Sequence, residues 1–166
     1  MRAFIGIKLV DCISKINSII EDLKQKDKYA SYTKLNNIHI TVEFLGEINE
    51  KDIEKIERIF SSLDFKFFEI SLNRIENFKE MLILGVQNNK DLNLLQARIN
   101  ANLRSDGFLL QERKYFPHVT LARKTDIQIK ENINLSSVIK EVILFSSARI
   151  NNELVYKPIL IKQLKE

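Results

Sequence analysis

The chain has 166 residues, 45% of them hydrophobic, with 26 Lys and Arg against 22 Asp and Glu for a formal charge of +4 and a pI near 9.1. That length suits one domain with a sizeable core, and the mild basic bias fits an anionic ligand while falling well short of a basic tail. Cys12 is the single cysteine, which excludes an intramolecular disulfide and a thiolate metal cluster. No apolar run reaches membrane-spanning length and the start lacks a signal-peptide pattern, so a cytoplasmic protein without membrane association is expected.

Residues 2–9 (RAFIGIKL) read as a first strand. Ile13, Ile16, Ile19, Ile20 and Leu23 recur at helical spacing within Val10–Lys26, with Asp11 as the expected cap. An apolar, β-branched stretch follows at Ile38–Leu45, closed by Gly46. Asn49 then opens a second helix running to about Leu63, with Ile53, Ile56, Ile59 and Phe60 on its inner face. Phe65–Phe78 alternates in part (Phe68, Ile70, Leu72) and pairs as a strand with Met81–Gln87 across Lys79-Glu80. Asp91–Ser105 is a third helix stopped by Gly107, and a further strand spans the region of Phe116–Arg123. Residues 126–140 are expected to form a loop with a helical turn. Glu141–Ile150 and Leu154–Leu164 close the chain as a hairpin around Asn151-Asn152. Helices join strands in each half, so the expected class is α+β, one compact domain over residues 1–166 built from two similar lobes.

The chain has only two histidines and four threonines, and two of each meet in the same pattern, His39-Ile40-Thr41 and His118-Val119-Thr120. On a strand, residues i and i+2 share a face. Each histidine therefore stands beside a threonine hydroxyl, with Ile38, Ile40 and Val42 in the first segment, and Val119 and Leu121 in the second, turned to a core. On a regular strand Glu43 joins the His39 face, while Arg123 is odd-spaced from His118 and points away. A bulge or a strand end near Ala122 would turn it back. Structural histidines at strand ends and a zinc site are the competing readings; two histidines without a carboxylate trio fall short of a zinc ligand set.

Two imidazoles facing one groove can divide acid and base work near neutral pH. Threonine hydroxyls can hold phosphate oxygens and an arginine can neutralise them. The set fits metal-free transfer or hydrolysis at a phosphodiester.

These residues carry a resemblance. Residues 1–7 (MRAFIGI), 38–46 (IHITVEFLG), Gly107-Phe108, Arg113 and 117–123 (PHVTLAR) resemble, in order, the motifs of the two-histidine phosphoesterases, and within them the RNA 2′,3′-cyclic phosphodiesterases or 2′-5′ RNA ligases. The resemblance implies a bilobal α+β fold: two pseudo-symmetric antiparallel-sheet lobes, helices outside, and a central cleft flanked by the histidine strands. It implies opening of a terminal ribose 2′,3′-cyclic phosphate to the 2′-phosphomonoester without a metal or other cofactor, with weak reverse 2′-5′ ligation. Carried over by residue, His39 and His118 are the acid–base pair, and Thr41, Thr120 and Arg123 bind substrate. The partners implied are RNA ends bearing a 2′,3′-cyclic phosphate, tRNA fragments among them, or small cyclic nucleotides, and a monomer is expected. The competing class is a nucleotide- or RNA-binding module that kept the groove and lost turnover; intact histidines in both motifs favour the enzyme.

Overall fold

The computed structural model describes residues 1–166. In chain order it contains β1 (Arg2–Ile7), α1 (Ile13–Lys26), β2 (Ser31–Tyr32), a 3-10 turn (Leu35–Asn37), β3 (Ile40–Glu47), α2 (Glu50–Ser62), β4 (Phe68–Phe78), β5 (Met81–Val86), α3 (Lys90–Ser105), β6 (His118–Arg123), β7 (Lys130–Ile139), β8 (Glu141–Ile150) and β9 (Glu153–Gln163). The strands form one nine-stranded sheet ordered β7-β4-β5-β6-β3-β1-β8-β9, with the short β2 paired to β6. Two four-stranded halves meet where β3 lies beside β6, through the single registered pair Ile40 and Val119. Elsewhere the ladders are long and antiparallel, so the sheet is loosest at its middle. Both histidines sit at that seam.

The three helices lie over one face and share one hydrophobic core with it. That core joins Ile16, Ile20 and Leu23 of α1, Ile56, Ile59 and Phe60 of α2, and Leu92, Leu95, Ile99 and Leu103 of α3 to Ile38, Ile40, Val42, Leu82, Leu84, Val119 and Leu121 of the sheet. Each of these side chains contributes about 1.5–3 kcal/mol by leaving water, which fixes the inward face of both histidine strands. The opposite face is left open for chemistry.

Local sequence explains three of the element ends. Asn49 accepts from the Asp52 amide at 2.9 Å while the Asp52 carboxylate accepts from the Asn49 amide at 3.0 Å, a reciprocal cap on α2. Asn89 caps α3 through the Leu92 amide at 2.9 Å. Asn151 and Asn152 both adopt positive φ, 53° and 65°, the pair of left-handed residues that a tight hairpin of this twist requires.

Two expectations fail. Residues 126–140 hold no helical turn: Lys130–Ile139 is strand β7, paired along its length with β4. Leu135, Ser137 and Ile139 alternate inward, and the small hydroxyl of Ser137 is buried in what would otherwise read as an apolar stripe. Asp11 does not cap α1, which has Cys12 at that position with no side-chain cap. Its carboxylate instead accepts from the Val138 amide at 2.8 Å, and its own amide donates to Ser137 Oγ at 3.3 Å, tying the chain leaving β1 to β7. Cys12 is buried as expected, and burial pushes its thiol pKa up.

Candidate active site

The strand register turns the groove residues inward by two matching bulges. In β3, Gly6 pairs with Thr41 and Ile5 with Glu43, leaving Val42 as the extra residue. In β6, Ile83 pairs with Thr120 and Leu82 with Ala122, leaving Leu121 extra. A bulge puts two consecutive residues on one side and reverses the alternation beyond it. Val42 is accordingly buried and Glu43 faces α3, where Gln96 Nε2 and Asn100 Nδ2 donate to Glu43 Oε2, each at 3.1 Å. The regular-strand reading that put Glu43 beside His39 is therefore corrected. Leu121 and Ala122 are both buried in the same way, and Arg123 returns to the face of His118 and Thr120. The position equivalent to Arg123 in the first half is Phe44.

Each imidazole is held by its own backbone. His39 Nδ1 lies 2.6 Å from the Asn37 carbonyl oxygen and His118 Nδ1 lies 2.9 Å from that of Phe116. A carbonyl only accepts, so both Nδ1 atoms carry the proton and both Nε2 atoms are the reactive ones. His39 Nε2 accepts from Thr41 Oγ1 at 3.0 Å. The Asn37 side chain is itself buried, donating to the Leu154 carbonyl at 2.8 Å and accepting from the Tyr156 amide at 3.4 Å. It fastens the turn carrying His39 to β9.

Aromatic rings wall both histidines. Phe4 lies 4.7 Å from the His39 ring centroid and Tyr156 meets that ring edge-on at 5.2 Å and 89°. Phe116 and Phe78 lie 5.2 and 6.1 Å from His118. This packing lowers the pKa of both imidazoles. Burial is the main cause for each; the carbonyl bonds to Asn37 and Phe116 oppose it, and the positive charge of Arg123 adds to the lowering at both. Arg123 Nη1 also lies 3.1 Å from Met81 Sδ. Thr120 is anchored through its backbone, whose carbonyl accepts from Thr33 Oγ1 at 2.7 Å. Tyr115 donates to the Thr41 carbonyl at 2.8 Å, and burial beside Glu43 drives its phenol pKa strongly upward.

A cavity of about 290 Å³ opens between Thr41 and His118 and runs toward Arg113 and Lys114. A larger open depression of about 470 Å³ on the outer side of α2 is lined by Glu54, Glu57, Arg58, Ser61 and Ser62 and is remote from both histidines. His39, Thr41, His118, Thr120 and Arg123 thus converge at one seam. Asn37 and Tyr156 were not singled out from sequence: Tyr156 arrives from a distant strand without a local pattern. The two carbonyls that orient the imidazoles belong to Asn37 and Phe116, which share no residue type, so the sequence offered no sign of them.

Residues 13–141 match the model of the 2′-5′ RNA ligase superfamily. The chain belongs to that superfamily. It is 30% identical over 131 residues to the RNA 2′,3′-cyclic phosphodiesterase of Thermotoga maritima, covering 74% of this chain and 70% of the relative. It is 29% identical over 130 residues to the protein of the same name in Bacillus subtilis, covering 73% and 70%. Among solved structures, E. coli LigT complexed with 3′-AMP superposes with a TM-score of 0.86 at 21% identity over 99% of this chain and 98% of that one. A Thermus thermophilus protein gives 0.89 at 15% identity with the same coverage. These likenesses establish the bilobal α+β phosphoesterase fold, with its two sheet halves, outer helices and central cleft.

Proposed function

We propose that this chain is an RNA 2′,3′-cyclic phosphodiesterase that opens a terminal ribose 2′,3′-cyclic phosphate to the 2′-phosphomonoester. The observation that carries the reading is the pair of Nδ1-anchored imidazoles at one seam, which turns both Nε2 atoms to the groove, that of His39 beside the Thr41 hydroxyl. His118, the more open of the two, takes a proton from water as the water oxygen attacks phosphorus. The bond from phosphorus to O3′ breaks, and His39 gives its Nε2 proton to the departing O3′. The shorter contact of His39 Nδ1 to its carbonyl supports the imidazolium there, and the negative phosphate facing it offsets the lowering by burial. Thr41 and Thr120 hold the non-bridging oxygens, and Arg123 neutralises the charge that builds on them. No step calls on a metal or other cofactor.

The T. maritima and B. subtilis relatives bear the name of this activity, and E. coli LigT was solved with a nucleotide. The partners are RNA ends with a 2′,3′-cyclic phosphate, tRNA fragments among them, with weak reverse 2′-5′ ligation. We read the chain as one domain over residues 1–166, a monomer, and cytoplasmic; no helix is long and apolar enough to cross a membrane.

The test is incubation of EDTA-treated protein with a short RNA ending in a 2′,3′-cyclic phosphate, with products resolved by mass and phosphatase sensitivity. A 2′-phosphate product that disappears in both His39→Ala and His118→Ala supports the reading. Intact substrate that still binds in a salt-dependent manner replaces it with the binding module.

A further inference from the structure

The bulge in β3 places Phe44 where β6 places Arg123, and Phe44 stands 55% exposed on the groove side. A large apolar ring left in water beside a polar site calls for an explanation. The Arg113 guanidinium lies over that ring, 5.4 Å from its centroid, a stacking geometry that orients a cation without neutralising it. Arg113 pairs with no carboxylate; its neighbour Glu112 is turned toward Arg104, at 3.8 Å. The first half of the sheet thus carries its positive charge on a shelf, reached from the loop before β6.

The position of that charge separates it from the scissile phosphate. Ring centroids step from His39 to Phe4 by 4.7 Å and from Phe4 to Phe44 by 6.3 Å, and Arg113 caps the far end of the row. The charge of Arg123 acts on both imidazoles, whereas that of Arg113 acts on His118 alone and least of the causes named there. Arg113 instead lines the cavity of about 290 Å³, which it shares with Thr41, His118 and Lys114 and whose walls include Phe44, Phe78 and Phe116, whereas Arg123 does not line it. That volume, at the small end for ligand pockets, suits a single nucleoside, and the exposed ring of Phe116 offers a stacking surface for a base.

We infer that this cavity takes the terminal nucleoside and that Arg113, seated on Phe44, binds the phosphate on its 5′ side. The inference rests on the proposed reading of the cleft. It makes the enzyme sense one nucleotide beyond the reacting bond: an RNA end or a 5′-phosphorylated nucleotide is favoured over a bare nucleoside cyclic phosphate.

The experiment compares kcat/KM for adenosine 2′,3′-cyclic phosphate with and without a 5′-phosphate, in the wild type, Arg113→Ala, Arg113→Lys and Phe44→Leu. Calorimetric binding of adenosine 2′-phosphate with and without a 5′-phosphate runs beside it. The wild type is expected to prefer the 5′-phosphorylated substrate by about tenfold, mostly in KM, as one charge-assisted contact provides. The preference ratio falls to near one in Arg113→Ala and to an intermediate value in Arg113→Lys and Phe44→Leu. A wild-type ratio near one, or a ratio unchanged in Arg113→Ala, overturns the inference while leaving the proposed reaction standing. A wild type that turns over neither substrate, yet binds the 5′-phosphorylated product more tightly through Arg113, defeats the reaction and keeps the site.

Discussion

Replacing Asn37 with alanine tests whether the distant hairpin positions His39. The backbone of residue 37, including the carbonyl that accepts the hydrogen bond from His39 Nδ1–H, is unaffected. What is lost is the Nδ2 donation to the Leu154 carbonyl at 2.8 Å and the contact from the Tyr156 amide at 3.4 Å. The long contact contributes little. The short one leaves a half-buried carbonyl without its donor, and such a loss costs about 1–3 kcal/mol. Because Leu154 retains some access to water, we expect the lower half, about 1–2 kcal/mol. At this chain length each kcal/mol moves the melting temperature by about 2–4 °C. Urea denaturation should show a lower midpoint with an unchanged slope. β9 stays paired to β8, but the turn carrying His39 is no longer fastened to it, so the imidazole loses its fixed edge-on contact with Tyr156, kcat falls more than KM rises, and the His39 ring resonances broaden in NMR spectra. Asn37→Asp should not rescue, since a carboxylate cannot donate to Leu154. A stability change below about 0.5 kcal/mol, or a destabilised variant with unaltered kcat, would refute the linkage between β9 and the imidazole.

Three further outcomes follow from the same geometry. Both imidazoles have folded pKa values below the ordinary 6.5, so below that pH the unfolded chain binds protons that the folded chain resists. Their contribution to stability is present above about pH 6.5 and is lost as pH falls through their folded values; denaturation midpoints across that window should flatten in a His39→Asn, His118→Asn variant. Arg123→Met should lower kcat/KM by roughly a hundredfold, with Arg123→Lys intermediate, and should raise both imidazole pKa values in an NMR titration because a nearby positive charge has gone. A methyl group at Gly6 would lie 3.0 Å from the Ile40 carbonyl and 3.3–3.4 Å from the Phe4 and Phe145 rings. Gly6→Ala is therefore expected to destabilise by about 1–3 kcal/mol in thermal melts and, by shifting Phe4, to disturb His39; a neutral variant would show that the aromatic row yields freely.

The paired motifs were legible because strand periodicity is a local property: residues two apart share a face whatever the rest of the chain does. His39 with Thr41, and His118 with Thr120, needed nothing more. The three helices were legible in the spacing of their apolar residues, and Asn49 marked the start of α2 through chemistry contained within four residues. Strand β7 escaped because Ser137 interrupts its inward row of Leu135 and Ile139 while Asn132 and Asn134 stand exposed, a mixture that reads as loop until the pairing with β4 supplies its context. The faces of Glu43 and Arg123 could not be read from spacing at all, since a bulge is defined by two residues opposing one on the partner strand.

The sequence by itself determined the chemical inventory of this protein and the two rigid elements that present it. Tertiary structure decided how those elements meet. Antiparallel register brought two segments separated by 79 positions (39 to 118) to the seam of one sheet. The Leu121 bulge turned Arg123 into the groove, the Val42 bulge turned Glu43 out of it, and β9 brought Tyr156 against His39. Each of these depends on contacts between residues far apart in sequence, and a chain read along its length carries no record of which distant backbone will stand opposite which.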